Sequence, residues 1–240
     1  MKYAVVTGSS KGIGKQTGID LMKKGYFVFF NYGHDESVVE SLKSELSQIS
    51  ENYEIIKNDF SSFEKIQKFT EDVRKITEVV DVLVLNVATT DRTKFEEMTM
   101  DSFNKVLMTN LTAPCFLVQQ FKKFVPNGGN IIFIGAMLGR VPHALSVSYG
   151  VSKAGLHMFA QYLVKEFCEQ KIRVNVVAPG FVETPWQNNK PEEIRKNIEN
   201  KISLHRFATP EEISDAVLFV INNTYINGSI VNMDGGYCYK

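Results

Sequence analysis

A tyrosine and a lysine at helical spacing are the residues of this sequence best suited to transfer a proton. Tyr149 and Lys153 stand four positions apart in the segment Tyr-Gly-Val-Ser-Lys, so in a helix they would share one face. A free phenol has a pKa of about 10 and is a poor proton-transfer group at neutral pH. A nearby cation favours the phenolate and lowers that pKa. The pair predicts a proton donor, and chance spacing on a solvated helix face is the alternative.

A glycine-rich turn near the N-terminus is the second feature that could bind a ligand. Residues 7–14 read Thr-Gly-Ser-Ser-Lys-Gly-Ile-Gly and join a strand-like run to a helical stretch. Glycines let a backbone approach a ligand closely, and a helix N-terminus offers unpaired N–H groups to phosphate. The P-loop pattern fails at Ile13, and the spacing also differs from G-x-G-x-x-G. A phosphate-binding turn is predicted, with a tight turn alone as the alternative.

Short apolar runs alternate with helical stretches along the chain. Strands are predicted over residues 3–7, 26–31, 54–57, 80–85, 130–135, 173–178 and 229–233. Helices are predicted over residues 12–24, 36–49, 63–76, 101–124, 149–169, 191–201 and 210–222. This alternation predicts an α/β fold, a doubly wound parallel sheet of about seven strands with helices on both faces. We expect one domain over residues 1–240, with ligands beyond the carboxyl ends of the strands.

Composition excludes several classes of function. The 27 basic and 27 acidic residues cancel, so charge gives no reason to expect nucleic acid or an anionic membrane as a partner. No apolar run approaches the ~18 residues of a membrane span. Cys115, Cys168 and Cys238 have neither metal nor redox spacing. We expect no metal site and a cytoplasmic protein, since a strand-like run rather than a signal sequence follows Met1.

The glycine turn and the Tyr-x-x-x-Lys segment together resemble the short-chain dehydrogenase/reductase family. Asn110 in Thr-Asn-Leu, and Pro179-Gly180 followed by Thr184, extend the resemblance over nearly the whole chain. The glycine turn and the C-terminal region look most like the bacterial 3-oxoacyl-[acyl-carrier-protein] reductases. The resemblance implies a Rossmann-type fold and hydride transfer between a nicotinamide cofactor and a carbonyl or alcohol carbon of a small substrate.

The resemblance also implies roles for individual residues. Tyr149 would protonate the forming alkoxide, Lys153 would lower the tyrosine pKa and bind the nicotinamide ribose, and Asn110 would hold a water that links Lys153 to solvent. Residues 181–205 would form a lid over the substrate. The implied cofactor-binding residues are Gly8, Ser10, Lys11, Gly12, Ile13, Gly14, Asn31, Tyr32, Asp59, Phe60, Asn86, Tyr149, Lys153, Pro179, Gly180, Val182 and Thr184.

The choice of nicotinamide cofactor depends on the end of the second strand. NAD enzymes of this fold place an acid there to bond the ribose hydroxyls, but here Tyr32 follows Asn31. Asp35 and Glu36 come too late and are interpreted as the start of the next helix. Lys11 lies where the family often has a cation that faces a 2′-phosphate. NADP is therefore expected and NAD is less favoured, although an exposed Lys11 without a partner is the alternative.

Two positions depart from the family pattern. The family has a serine that bonds the substrate oxygen thirteen residues before the tyrosine, and that position is Ala136. Losing one donor to a developing oxyanion costs about 10²–10³ in rate. Ser146 is a candidate replacement, while Ser148 is expected to cap the helix. The family's glycine after Asn86 is Ala88, whose methyl group would weaken cofactor binding.

The expected partners also follow from the resemblance. An acyl carrier protein is a doubtful partner because Asn127 and Gln170 stand where the reductases usually have basic residues. We expect a homotetramer packed through the two long helices. Residues of the lid and of the segment before Tyr149 predict a mainly apolar substrate pocket, in which Trp186 either lines the pocket or packs. A catalytically impaired relative that binds dinucleotide or a subunit partner is the alternative to an active reductase.

Overall fold

The computed structural model describes residues 1–239 and contains a sheet of seven parallel strands within that part of the chain. The strand order is β3-β2-β1-β4-β5-β6-β7, which reverses direction beside β1 as in a doubly wound sheet. The predicted fold class is confirmed. The strands are β1 Lys2–Val6, β2 Tyr26–Tyr32, β3 Tyr53–Lys57, β4 Val82–Leu85, β5 Asn130–Ile134, β6 Arg173–Pro179 and β7 Ile230–Met233.

Helices connect the strands and cover both faces of the sheet. They are α1 Gly12–Lys23, α2 Ser37–Ser47, α3 Phe63–Arg74, α4 Met100–Leu107, α5 Ala113–Phe121, α6 Val147–Glu166, α7 Glu192–Glu199 and α8 Pro210–Asn222. Helix α8 begins with a capping box in which the Thr209 side chain and the Glu212 side chain each bond the other's backbone N–H. None of the helices that the structure describes is long and apolar enough to cross a membrane.

The long helix predicted over residues 101–124 is wrong as a single element. Helices α4 and α5 are separated by a π-helical turn over Met108–Thr112. Pro114 lies in the first turn of α5 and has no N–H, so it cannot donate to the carbonyl of Asn110 as an α-helix requires. The missing donor explains why regular α-helical bonding does not continue through this point, which lies beside the predicted catalytic residues.

Two apolar cores lie on opposite faces of the sheet. Along β1, Val5 points into the core with α3, α5 and α6, whereas Ala4 and Val6 point into the core with α1, α2 and α8. This alternation follows from the strand period of two and explains why central strands are apolar throughout. A third, smaller cluster contains Ile198 and Phe207, against which Phe181 packs, so it anchors both ends of the segment predicted as a lid.

Candidate active site

A cavity of about 520 Å³ lies at the carboxyl ends of the strands and collects most of the predicted site residues. The predicted residues that line it are Gly8, Ser10, Lys11, Gly12, Ile13, Asn31, Tyr32, Asp59, Asn86, Ala136, Tyr149, Lys153, Pro179, Gly180, Val182 and Thr184. Gly14, Phe60 and Asn110 do not line it. We call the part around residues 8–13, 31–35 and 58–59 the cofactor end, and the part around Ala136, Tyr149, Trp186 and Gln187 the substrate end.

The glycine turn has the shape that a phosphate group requires. Gly8 and Gly12 have φ values of +59° and +58°, which only glycine adopts without strain. A Cβ on Gly8 would lie 2.9 Å from the Cα of Val87, so no side chain fits there. Helix α1 begins after Lys11 without a side-chain cap, which leaves its first N–H groups free to bind an anion at the cavity.

Gly14 serves packing rather than ligand contact. It is buried, and a Cβ there would lie 2.5 Å from both the Asn86 Nδ2 and the Gly8 carbonyl oxygen. The absence of a side chain lets helix α1 approach the loop that follows β4. The sequence motif alone does not separate this role from contact with a cofactor, because both roles require glycine.

Two asparagine side chains hold the glycine turn from opposite sides. Asn86 Nδ2 donates to the carbonyl of Gly8 at 2.8 Å, and Asn31 Oδ1 accepts from the Gly8 N–H at 2.8 Å. Asn31 also donates to the carbonyl of Asn58 at 2.9 Å. These bonds within the chain hold the turn in one conformation, so the cofactor end is preorganised.

Phe60 belongs to the core and not to the cavity. Its side chain is fully buried and lies edge-on to Phe69, with 5.0 Å between ring centroids. The preceding residue, Asp59, does line the cavity. Burial raises the Asp59 pKa, but hydrogen bonds from Lys65 and Ser61 outweigh it and lower the pKa to about 2. Asp59 is therefore a stable carboxylate at the cofactor end.

An acid that sequence reasoning set aside also lines the cofactor end. Asp35 lies on the cavity wall and accepts hydrogen bonds from the Ser37 N–H and hydroxyl at 3.2 and 2.5 Å. The Ser37 bonds lower the Asp35 pKa, and the Lys11 cation adds to this effect. Asp35 thus lies just before α2, whose N-cap is Glu36, and stands close to Lys11, the lysine expected to select the cofactor.

Tyr149 and Lys153 share one face of α6 and both line the cavity. Lys153 is almost fully buried, its Nζ donates to the carbonyl of Ile134 at 2.7 Å, and Nζ lies 5.7 Å from the centre of the Tyr149 ring. Burial lowers the Lys153 pKa to about 7 and raises the Tyr149 pKa. Burial thus acts on the Tyr149 pKa in the direction opposite to the lowering expected from a nearby cation.

Asn110 acts through its neighbours and does not reach the cavity. Its side chain accepts from the Thr89 N–H at 2.8 Å and donates to the Thr89 carbonyl at 2.8 Å and to Ser152 Oγ at 3.0 Å. Ser152 in turn donates to the carbonyl of Tyr149 at 2.7 Å. Asn110 therefore ties the loop after β4 to the helix that carries Tyr149, and its engaged amide leaves only the backbone carbonyl to hold a water.

Ala136 lines the substrate end beside Tyr149 and offers no side-chain donor. Its N–H donates to His157 Nε2 at 3.4 Å. Neither serine considered as a partner lines the cavity. Ser146 precedes α6 without a side-chain cap bond, and the predicted capping role of Ser148 is wrong. Helix α6 begins before Ser148, whose hydroxyl is buried without a hydrogen-bond partner.

The substrate end is closed by residues of the segment after β6. Trp186 and Gln187 line the cavity, and the Trp186 ring lies 6.2 Å from the Tyr149 ring at an angle of 67°. The structure therefore supports the interpretation in which Trp186 lines the substrate pocket.

Met137, which precedes Tyr149 in the sequence, is buried and does not line the cavity. Ala88, the second departure from the family pattern, lies on the cavity wall. Among residues 1–239, no group of three or more His, Cys, Asp or Glu residues could hold a metal ion.

Comparison with known proteins supports the family resemblance. Residues 8–238 match the family described as enoyl-(acyl carrier protein) reductase. The chain is 32% identical to the 3-oxoacyl-[acyl-carrier-protein] reductase FabG of Aquifex aeolicus, over 98% of this chain and 96% of the relative. It is 27% identical to the tetrahydroxynaphthalene reductase of Pyricularia oryzae, over 99% and 89% of the two chains.

Solved structures agree with the sequence comparison. A short-chain dehydrogenase/reductase from Serratia marcescens superposes with a TM-score of 0.93 at 26% identity, over 98% of this chain and 97% of that one. The Pseudomonas aeruginosa RhlG/NADP active-site complex superposes with a TM-score of 0.92 at 26% identity, over 98% and 96%. With a parallel sheet, a glycine turn and a Tyr-Lys pair at one cavity, the chain belongs to the short-chain dehydrogenase/reductase family of oxidoreductases.

Proposed function

We propose that this protein is an NADP-dependent reductase that transfers hydride to the carbonyl carbon of a ketone, such as a 3-oxoacyl thioester, with Tyr149 as the proton donor. One observation carries the proposal. Tyr149 and Lys153 face the same cavity as the glycine turn and the N-terminus of α1. A phosphate-binding cradle and a proton donor that open into one space fit a dinucleotide and a substrate side by side.

The residues at the cavity fit a nicotinamide dinucleotide. The free N–H groups of α1 would hold the pyrophosphate, and Lys153 would bond the nicotinamide ribose. When bound, the cofactor supplies the hydride. Tyr149 donates its hydroxyl proton to the developing alkoxide, and the Lys153 ammonium stabilises the phenolate that remains. A water on the carbonyl of Asn110 would return a proton through Lys153.

The choice of NADP rests on Lys11 at the cavity wall. A relative of known structure is an NADP complex, which agrees with this choice. Asp35 opposes it, since its carboxylate would repel a 2′-phosphate. Because Lys11 and Asp35 stand close together, the preference for NADP over NAD is expected to be modest.

The proposal extends to the partners and the location of the protein. Exposed apolar side chains on α6, among them Val151, Met158 and Tyr162, would be covered in the expected homotetramer. An acyl carrier protein remains a doubtful partner because Asn127 and Gln170 lack positive charge. The relatives compared above are named as reductases, and we propose a small-molecule substrate and a cytoplasmic location for this enzyme.

A second candidate function is favoured by Ala136 and Ala88, the two positions on the cavity wall that depart from the family. A protein that lacks the donor for the substrate oxygen could bind dinucleotide, or pair with an active subunit, without significant catalysis. This candidate predicts NADPH binding of ordinary affinity with no reduction of any carbonyl compound.

NADPH oxidation with a panel of ketones and 3-oxoacyl thioesters tests the proposal. We expect reduction of at least one compound, and we expect Tyr149→Phe to lower kcat by about 10²–10⁴, the usual contribution of general acid catalysis. NADPH binding, measured by fluorescence, serves as the folding control for the variant. Turnover that Tyr149→Phe leaves unchanged, or no turnover at high enzyme concentration, would overturn the reductase proposal.

A further inference from the structure

Helix α6 carries a third polar side chain one turn beyond Tyr149 and Lys153. His157 continues the spacing of four along the same side of the helix. Its side chain is buried, at 4% exposure, and does not line the cavity. The proposed mechanism does not use His157, yet its ring contacts the strand end that carries Ala136.

The segment that follows β5 closes around the His157 ring. A Cβ on Gly135 would lie 2.3 Å from His157 Nε2, and a Cβ on Gly139 would lie 2.7 Å from His157 Cε1. While the ring is in place, neither glycine position has room for a side chain. The imidazole therefore fills the space that these two residues leave open, and it packs residues 135–139 against α6.

Ala136 lies between the two glycines, and both of its backbone polar groups are bonded. Its N–H donates to His157 Nε2 at 3.4 Å, a long bond within a buried contact. Its carbonyl accepts from the Gly139 N–H at 3.0 Å. The two bonds hold the backbone of a residue that lines the cavity together with Tyr149.

Helix α6 thus holds the end of β5 at two points that lie one helical turn apart. Lys153 Nζ donates to the Ile134 carbonyl at 2.7 Å, and His157 accepts from the Ala136 N–H two residues further on. Tyr149 stands on the same helix one turn before Lys153. The two contacts therefore set where Ala136 lies relative to Tyr149, as supporting hydrogen bonds do behind a functional site.

The acceptor role of Nε2 specifies the protonation state of the ring. Burial, followed by the Lys153 and Arg140 cations, lowers the His157 pKa to about 4, so the ring is neutral at physiological pH. A neutral imidazole that accepts at Nε2 carries its proton on Nδ1. Within residues 1–239, Nδ1 is buried and has no hydrogen-bond partner. A buried donor without a partner lowers stability, so stability alone does not explain a histidine here.

On the basis of the proposed reductase function, we infer that His157 is a positioning residue of the substrate end, which holds Ala136 and the turn after it in register with Tyr149. It does not line the cavity, so it acts on the reaction through the Ala136 backbone. It also occupies the Ala136 N–H, and for that reason this N–H does not replace the missing serine as a donor to the substrate oxygen.

Three variants separate the hydrogen bond from the size and the polarity of the side chain. In His157→Gln the amide stands as far along the side chain as Nε2 and can accept from the Ala136 N–H. In His157→Asn the amide stands only as far as Nδ1 and does not reach that N–H. His157→Leu fills the space without an acceptor. The asparagine variant is therefore the matched control for the glutamine variant.

We expect His157→Leu and His157→Asn to lower kcat for a reduced ketone about tenfold or more, because a misplacement of about 1 Å can cost about 10² in rate. His157→Gln should retain most of the wild-type kcat. The affinity for NADPH should be unchanged in all three variants, because Asn31 and Asn86 hold the glycine turn.

A merely structural role of His157 gives a different order. It predicts that the three variants lose activity in proportion to their loss of stability in urea, with no advantage for glutamine over asparagine. That order, or an unchanged kcat in His157→Leu, overturns the inference and leaves the reductase proposal intact.

Hydrogen exchange of the Ala136 amide tests the inference without turnover. We expect slow exchange in the wild type and in His157→Gln, and faster exchange in the leucine and asparagine variants, whose Ala136 N–H lacks an acceptor. Nitrogen NMR of the wild-type imidazole should show a neutral ring with its proton on Nδ1. This pattern in a protein that reduces no ketone contradicts the reductase proposal alone. Equal exchange in all four proteins, or a ring protonated at Nε2, overturns the inference.

Discussion

The two ends of the cavity are built in different ways. At the cofactor end the backbone supplies the binding groups, and Asn31 and Asn86 lock the glycine turn from both sides. At the substrate end single side chains from helix α6 and from the segments after β5 and β6 face the cavity, and the position that should hold the substrate oxygen is Ala136. Several hydrogen bonds fix the conformation of the cofactor end, whereas the shape of the substrate end depends on a few individual side chains.

The difference shows where change is tolerated in this fold. A change at Gly8 meets backbone, which cannot move without disturbing the sheet. A change at Ala136 or Trp186 alters one contact with the substrate and leaves the sheet as it is. If the proposed function holds, we expect substitutions at the cofactor end to be tolerated less than substitutions at the substrate end.

Supplying the missing donor should have the largest effect at the substrate end. We predict that Ala136→Ser raises kcat/KM for a reduced ketone by about 10–10², because one oxyanion donor is typically worth about 10²–10³. Ala136→Cys, of similar size with a much weaker donor, is the control and should gain little. NADPH affinity should be the same in all three proteins. No gain from the serine would mean that another group already bonds the substrate oxygen.

A methyl group at Gly8 should disable the cofactor end. Gly8 and Gly25 both have positive φ, but a Cβ at Gly8 would meet Val87 and a Cβ at Gly25 would meet nothing within 4 Å. The backbone conformation alone costs a non-glycine residue about 1–3 kcal/mol. We predict that Gly8→Ala also weakens NADPH binding more than about tenfold, since the clash displaces the turn. Gly25→Ala should lower stability alone, and equal NADPH affinities would contradict the role of Gly8.

Lys153, where the two ends meet, should make stability depend on pH. Burial lowers its pKa from 10.5 to about 7. Between these values the unfolded chain binds a proton that the folded chain does not, so the free energy of unfolding rises with pH through this window. Lys153→Met removes this contribution. Urea titrations should show the variant stabilised most relative to wild type below pH 7, with the difference shrinking toward pH 10. A constant difference would show that Lys153 is not desolvated.

The smallest effect is expected at the exposed rim of the cofactor end. We predict that Lys11→Ala raises the KM for NADPH about twofold to fivefold, in keeping with an exposed ionic contact, and leaves the KM for NADH unchanged. Asp35→Asn should lower the KM for NADPH, because it removes a carboxylate that repels the 2′-phosphate. Lys24→Ala, an exposed lysine at the far end of α1, is the control. Equal changes with both cofactors would exclude Lys11 from phosphate selection.

Local sequence patterns were sufficient to predict the sheet, the glycine turn and the helix face shared by Tyr149 and Lys153. Strand and helix periods specify the layers, and spacing of four specifies the shared helix face. The same reasoning from neighbouring residues predicted that Phe60 binds the cofactor, although its side chain belongs to the core. A residue next to a site residue in sequence points elsewhere when the backbone turns, and only the fold shows this.

Other features depend on contacts between distant segments. The loss of regular helix at residues 108–112 could have been foreseen from Pro114, which removes a donor four residues after Asn110. The cavity position of Asp35 and the contact between Trp186 and Tyr149 could not, because they depend on how loops fold over the sheet.

Hydrogen transfer itself gives the most direct test of an intact cofactor end beside a weakened substrate end. The measurement is the primary deuterium isotope effect on kcat, with NADPH deuterated at C4 and a ketone that the enzyme reduces. We predict deuterium in the alcohol product and a clear isotope effect in wild type, since the missing donor makes the chemical step slow. The effect should shrink in Ala136→Ser. An alcohol without deuterium, or the same isotope effect in both proteins, would contradict this view of the site.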